Sequence, residues 1–509
     1  MQEILTALAG LIPGLGPSAQ DAVTGEGRHW PGPLDVQGLA VSSVGLAAAS
    51  AQHLSRSTGR GAPTVTAPLH DVVAAFGSIS RLRVDGRPVP SFAPCSGFFP
   101  TADGWLRTHA NYPHHRAQLF RALDIDHDAA LAPALTRLTS AEAEERIVAA
   151  GGVAARVSSE IEWRVAASPS PGPWIDLHPG DEHTVARFSS RRSTSGSWHP
   201  AQDARTAAAP LQGVRVVSLT RVIAGPTGAK FLAALGADVI RVDPPAVPEL
   251  LGQHLDTDLG VRCTSRDLTT SSASAELAEL LASADVLLTG YRPGSLAALG
   301  LDAAHVRERF PHLVHVELSA WEPSGPRAGQ RGFDSIVQAA TGIAHRYGTA
   351  DEDGLWRPGA LPVQALDHAT GYGMAAAACA LLASGHSGFA RLSLERTARV
   401  LLDDAAPRPG ERSGTISQHP RTPLHEDRHG HHRVRPHRAE PETKPNGVEP
   451  QGRDRSTSCG GRRPSSTHVH PADEPETVEL RTRHGMITCA PAPVRVNGRR
   501  PPVAPPTEY

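Results

Sequence analysis

The sequence predicts an α/β protein with a parallel sheet and flanking helices, joined to a smaller α+β domain and a disordered C-terminal region. Three observations predict it. The stretch "PLQGVRVVSLTRVIAGPTGAKFLAALGADVIRVDPP", Pro210 to Pro245, reads strand, tight turn, helix, strand. Strand-like and helix-like runs keep alternating as far as Ser319, which implies βαβ crossovers and parallel pairing. Composition divides the rest of the chain into blocks. In such sheets ligands sit at the carboxyl ends of the strands.

Each element has its own signal. Val214 to Leu219 is a β-branched run, broken by Ala224, Gly225 and Pro226. Phe231 to Leu235 is apolar at helical spacing, and Ala237 to Asp243 is a second apolar strand. A short strand is expected at 261–268. "SASAELAELLASA" follows as a helix with Leu277, Leu280 and Leu281 on one face. "DVLLTGY", 285–291, is a buried-type strand ended by Arg292-Pro293-Gly294. "SLAALGLDAAHVRERF" is expected as one helix and "LVHVELS", 313–319, as the next strand. No GxGxxG follows any strand, which argues against a dinucleotide site.

The chain has 509 residues and a net charge of -2, so charge makes no case for nucleic acid or a membrane as the main partner. Five scattered cysteines show no CxxC or zinc spacing, which suggests a reducing cytoplasm and no metal centre. The opening "MQEILTALAGLIPGLG" is too short to span a bilayer and reads as an amphipathic helix. Residues 1–30 are a lead-in, 31–165 a folded segment, 166–209 a Ser/Arg/Pro-rich linker, and 210–404 the best-patterned part. From Ala405 to about Thr477 the chain is rich in Pro, Arg, His and Gly and poor in apolar residues. It cannot bury enough surface to offset chain entropy, so 405–509 is expected to be mostly disordered, with order returning at "HGMITCAPAPVRVNGRRPP". Its histidines, His419, His425, His429, His431, His432 and His437, lack a carboxylate or cysteine framework and read as a solvated run.

An internal repeat is visible. "PLDVQGLAVSSVGLAAASAQHL" begins at Pro33 and "ALDHATGYGMAAAACALLASG" at Ala365. Each holds Leu-Asp, an Ala-rich helix, a glycine turn and a short alternating segment, so Asp35 and Asp367 occupy matching places.

The motif order from Pro210 to about Leu402 resembles the family III CoA-transferases, the formyl-CoA transferase and carnitine CoA-transferase group. "LTRVIAGP" (219–226) is similar to the family's first CoA-cradling loop, and "GADVIRVDPP" (236–245) to its second strand. "ADVLLTGYRPGSLAALGL" (284–301) and "RGFDSIVQAATGIAH" (331–345) look like two further family motifs, and the Asp of "QALDHATGY" (364–372) falls at the family's catalytic aspartate. The first folded segment resembles a later part of the family. "TADGWLRTHANYPHHRAQLFRAL" (101–123) is similar to the small-domain hairpin, with Asp103-Gly104 as its turn, and the helix after it. "TSAEAEERIVAAGGVAARVSS" (139–159) has Thr139 and Glu142 at capping-box spacing. The chain thus joins the latter part of one unit to the former part of another. Departures exist: Thr289-Gly290 replaces Glu-Asn, Pro244-Pro245 replaces a basic residue, and Val261-Arg262-Cys263-Thr264 replaces "NKRS". These bear on adenine and phosphate contacts.

The resemblance implies a Rossmann-like parallel sheet and a transfer of CoA between carboxylic acids, with acyl-CoA and an acid as small-molecule partners and no metal. The implied route runs through an aspartyl-acyl anhydride and an aspartyl-CoA thioester, with Asp367 as nucleophile. The residues alone allow Asp367 to be a plain helix cap; motif order favours the nucleophile, and Asp35 is read as the cap. Candidate CoA contacts are Arg221, Val222, Ala224, Arg241, Tyr291, Arg292, Arg331 and Phe333. Arginines would pair with phosphates, and Tyr291 and Phe333 would flank the adenine or the pantetheine arm. Family members are interlocked dimers, so a homodimer is an open assembly, and a fused chain can supply both parts itself. Two other functions compete: a non-catalytic CoA-binding scaffold, and a 2-methylacyl-CoA racemase. The racemase needs Gly-His-Asp where this chain has Gly332-Phe333-Asp334, which counts against it. No motif identifies the acyl donor or the acceptor.

Overall fold

The computed structural model describes residues 1–59, 61–167, 172–182, 209–292, 294–404 and 477–507. Most of the expected linker, the expected disordered stretch at 405–476 with its histidines, and Cys459 lie outside the described residues. The lead-in is two helices, Gln2–Thr6 and Leu15–Ala22, where one was expected. Pro13 and Gly14 divide them. Proline removes a helix donor, and Gly14 takes the left-handed conformation at φ 80° to start the second helix.

Asp35 caps helix α1 (Val36–Ser57), accepting the Gly38 N–H at 2.8 Å. Strand β1 (Val65–Pro68) and helix α2 (Leu69–Phe76) follow. Strands β2 (Phe98–Pro100) and β3 (Trp105–Thr108) form the expected hairpin around Asp103-Gly104. Helix α3 (Pro113–Leu123) starts on a proline. Helix α4 (Ser140–Ala149) carries both hydrogen bonds of the Thr139–Glu142 capping box. Strand β4 (Ala154–Arg156) then pairs antiparallel with β3. Leu106, Leu119, Phe120 and Ile147 bury together as the core of this small α+β unit. The first half of the chain ends in strand β5 (Asp176–Glu182).

The second half is the expected α/β unit. Its elements are β6 (Arg215–Leu219), α5 (Ala224–Ala234), β7 (Asp238–Asp243), β8 (Arg262–Ser265), α6 (Ser271–Ser283), β9 (Val286–Thr289), β10 (Val314–Ser319), α7 (Asp334–Ala340), α8 (Ala365–Ala383), β11 (His386–Ser393) and α9 (Leu394–Asp403). The seven-stranded sheet has the order β8-β7-β6-β9-β10-β11-β5. The first six strands run parallel and β5, from the first half, adds an antiparallel edge. The chain leaves the sheet centre through β7 and β8 and returns to β9, so the topological switch point lies between β6 and β9.

Two expectations change. The stretch 295–310 is a 3-10 turn, Ala297–Leu299, and a separate helix, Ala303–Arg309. Gly300, at φ 65°, ends the turn, and Asp302 caps the helix by accepting the Ala304 and His305 N–H groups at 3.1 and 3.3 Å. The alternating segments after both Ala-rich helices turn from strand to helix partway, giving β1–α2 in one copy and β11–α9 in the other. The repeat therefore recurs in the topology. β1 pairs parallel with Val23–Thr24 and antiparallel with Arg495–Val496. β11 likewise pairs parallel with β10 and antiparallel with β5. Each copy takes its antiparallel neighbour from a distant part of the chain.

Helix α8 is buried along all its residues and touches both α1 and α5. Small residues allow this. A Cβ on Gly371 would lie 2.2 Å from the Ala224 carbonyl oxygen, and one on Gly228 would lie 2.7 Å from the Gly371 oxygen. Backbone therefore meets backbone between α5 and α8. We expect Gly371→Ala to destabilise the protein by about 1–3 kcal/mol, the usual cost of overpacking. Chemical denaturation checks this, and an unchanged midpoint would show that the helices can part freely.

Candidate active site

A cavity of about 310 Å³ opens at the carboxyl ends of β6 and β9, at the switch point where such sheets bind ligands. Arg221 and Val222 follow β6 on its wall, and Ala224 opens α5. Tyr291 and Arg292 follow β9, and Arg331 and Phe333 precede α7. Asp367, in the first turn of α8, lines the same cavity. The first half of the chain contributes Tyr112, His114 and His115. Asp35 lies outside it.

Arg241 is the correction. It is fully buried in β7 and does not line the cavity. Its guanidinium pairs with Asp258 at 2.9 Å, Glu249 at 2.8 Å and Asp243 at 3.0 Å. A strand side chain facing the sheet interior meets buried carboxylates, and none is left over for a phosphate.

Glu249 was not foreseen, and it shapes the first loop. Val222 sits at φ 70°, the left-handed region that disfavours a β-branched residue. Its N–H donates to Glu249 Oε2 at 2.9 Å. The other carboxylate oxygen accepts the Tyr112 hydroxyl at 2.5 Å and the Leu250 N–H at 2.9 Å. Glu249 is buried, which would raise its pKa, but Arg241 and Arg221 hold it down at about 2. One carboxylate thus ties the first half of the chain to the loop at the end of β6. Arg221 also spans this junction, donating to the Pro248 carbonyl at 2.8 Å and lying 5.2 Å from the Tyr112 ring centre.

Asp367 is not a cap. Gln364 holds the N-cap position of α8, and the Asp367 carboxylate caps nothing there. It is 5% exposed and, among the described residues, has no hydrogen-bond donor and no counter-cation. Its own N–H donates to Asp334 Oδ2 at 3.0 Å. Asp334 is fully buried and also accepts from Gln338. Burial raises the Asp334 pKa to about 6. Burial, then the Asp334 charge, raises that of Asp367 well above the ordinary range. Two carboxylates in one dry site resist ionising together. Asp334 was readable in "RGFDSIVQ" only as part of a motif; that it faces Asp367 depends on how α7 packs on α8.

Phe333 stacks on His109 from the first half, with ring centres 3.7 Å apart and planes within 6°. Its other surroundings include Tyr112 and His115. Among the described residues, His254, Asp258 and Cys263 place three potential metal ligands within 4.8 Å of one another. Both Asp258 oxygens are already engaged by Arg241, at 2.9 and 3.0 Å, so an ion pair accounts for the cluster. No helix among the described residues is long and apolar enough to cross a membrane. Cys95, Cys263, Cys379 and Cys489 are free thiols.

A parallel α/β sheet thus carries a cavity at its switch point, with a buried carboxylate at a helix start on its wall. Residues 211–408 match the model of CoA-transferase family III. The probable fatty acyl-CoA transferase Rv3272 of Mycobacterium tuberculosis is 34% identical over 188 residues, covering 34% of this chain and 47% of that protein. Human succinyl-CoA:glutarate CoA-transferase is 31% identical over 198 residues, 36% of this chain and 44% of that protein. The orthorhombic crystal structure of Rv3272 aligns at 31% identity and a TM-score of 0.36, over 40% of this chain and 57% of that one. The chain spans about half the length of the curated relatives it matches.

Two outcomes are expected. Glu249→Gln should lower stability by roughly 3–5 kcal/mol, because it leaves buried Arg241 short of a partner; an unaltered urea midpoint would contradict this. Asp334 has a pKa raised above its unfolded value of 3.8 to about 6, so the native state holds more protons than the unfolded state across that interval. Stability should therefore fall as pH rises from 4 through 6. Asp334→Asn should flatten that fall. A variant whose midpoint drops as steeply as the parent's over the same pH series would exclude Asp334 as its source.

Proposed function

We propose that this chain transfers CoA between carboxylic acids, with the Asp367 carboxylate as the attacking group. The observation that carries the reading is the state of Asp367. It is a desolvated carboxylate without a counter-cation, in the cavity that holds the family's loop residues. A carboxylate becomes an adequate nucleophile toward a thioester when desolvated and aimed.

In this scheme an Asp367 oxygen attacks the acyl carbonyl carbon of an acyl-CoA. The C–S bond breaks and CoA leaves as thiolate, giving a mixed anhydride. The thiolate then attacks the Asp367 carbonyl carbon, releasing the first acid as its carboxylate and leaving an aspartyl-CoA thioester. The acceptor carboxylate attacks that thioester, forming a second anhydride and freeing the thiolate. Attack of the thiolate on the acceptor's acyl carbon completes the new acyl-CoA and restores Asp367.

The remaining residues fit supporting roles. Arg221, Arg292 and Arg331 line the cavity where the CoA phosphates would pass. Val222 and Ala224 border the start of α5, whose first-turn N–H groups and dipole favour an anion. Tyr291 and Phe333 offer flat walls to the adenine or the pantetheine arm. The matched relatives act on succinate, glutarate and fatty acyl groups by name, which supports small or fatty carboxylic acids as the class.

The decisive experiment incubates the purified chain with acyl-CoAs and reads a hydroxylamine-sensitive adduct by mass spectrometry, beside transfer among small acids. Asp367→Ala should abolish adduct and transfer while keeping the fold. Asp35→Ala should keep both and cost about 1 kcal/mol, as loss of a helix cap does. Equal loss of activity in the two folded variants would overturn the assignment. CoA binding without any adduct would favour the scaffold reading.

A further inference from the structure

The cavity contains a side chain from the first half of the chain that the scheme above does not use. His115, on the first turns of α3, is 5% exposed, yet its ring reaches the cavity wall. Its Nδ1 is sealed from solvent and has no hydrogen-bond partner among the described residues. A neutral imidazole carries one N–H, and leaving that donor in a sealed position without an acceptor would cost more than leaving a bare nitrogen there. The proton therefore belongs on Nε2, the nitrogen left to face the cavity. Burial, with His114, Arg331 and Arg221 close by, lowers the pKa to about 3, so the ring stays neutral.

His115 shares its cavity with Asp367. The His115 ring lies 5.8 Å from the Phe333 ring, centre to centre. Phe333 directly precedes Asp334, which holds the Asp367 N–H. Tyr112, at 5.6 Å from His115, is bound to Glu249 and so fixes the start of α3 against the loop bearing Val222. His115 is thus held on the wall of the cavity that Asp367 also lines.

We infer that His115 donates a hydrogen bond from Nε2 to the acyl oxygen of the bound thioester, the oxygen that becomes negative when Asp367 attacks. The ligand class is any acyl-CoA whose carbonyl reaches Asp367, and the inference rests on the CoA-transfer reading. A neutral donor suits the step, because it steadies the oxyanion without neutralising the carboxylate that must attack.

The test follows the single-turnover rate of adduct formation from acetyl-CoA and from succinyl-CoA, with CoA affinity measured by calorimetry on the same full-length proteins. His115→Phe keeps the ring and removes the donor. It should slow adduct formation about 10²-fold, as loss of one oxyanion donor does, with CoA affinity unchanged. His115→Gln places an amide N–H near the Nε2 position and should recover most of the rate. If His115→Phe does not fold, His115→Gln against His115→Leu decides the same question. An unchanged rate in the variant lacking the donor, or a Gln variant as slow as it, overturns the role of His115 while leaving CoA transfer standing. A parent protein that binds CoA but forms no adduct with either thioester overturns the transfer reading itself, and this inference with it.

Discussion

The close approach of α5 to α8 is the constraint on which the site depends. Residues at the contact must be nearly without side chains, because a single methyl at Gly371 would meet the Ala224 carbonyl at 2.2 Å. Glycine in a helix interior costs roughly 0.5–1 kcal/mol relative to alanine, so these positions give up intrinsic helix stability for proximity. The gain is positional. Gly371 lies one turn after Asp367, and Ala224 opens the helix at the end of the first loop. Bringing those two points together places the carboxylate beside the loop that follows β6. The Ala-rich composition of α8, which looks like low complexity in the sequence, is what permits this.

A second constraint is electrostatic. Arg241 is buried with three carboxylates, Asp243, Asp258 and Glu249. Burying one charge is costly unless it is paired and hydrogen-bonded. Here the pairing also fixes geometry, because Glu249 spends its remaining lone pairs on Val222, Leu250 and Tyr112. The left-handed Val222 persists because neighbouring groups hold it. Asp367 is the opposite case: it is buried, and among the described residues its carboxylate has no hydrogen-bond donor and no counter-cation. Buried charge is paired around the loop, whereas at the start of α8 burial and the neighbouring Asp334 raise the pKa of Asp367.

The two halves of the chain complete each other. The first half lends β5 to the parallel sheet, and the segment after residue 477 lends Arg495–Val496 to β1. Buried hydrogen bonds close the junction: Trp174 donates to Thr397 and Trp163 to Glu395, each at 2.9 Å. Tyr112, His114 and His115 line the cavity because this junction exists. A site walled by both halves accounts for the stacking of His109 on Phe333.

The sequence by itself determined the local elements and their order. Periodicity marked β6, β7, β9 and β10, because a strand buried on both faces must be continuously apolar. The capping box at Thr139 and the Asp103-Gly104 turn were legible because their chemistry spans a few residues. The repeat, too, was legible, as was the motif order that singled out Asp367. Failures came where a short-range signal was overridden or absent. Gly300 and Asp302 split a helix that apolar spacing had joined. Arg241 read as a ligand contact because strand position says nothing about which carboxylates wait on the other side. Asp35 and Asp367 share a sequence context, and only the fold made one a cap and the other a bare carboxylate. Tertiary structure decided the partners of Glu249, the facing of Asp334 and the arrival of His115, since each depends on groups up to hundreds of residues apart. Local sequence sets the backbone path of a few residues; the dielectric and the charges around a side chain are set by whatever the fold brings to it.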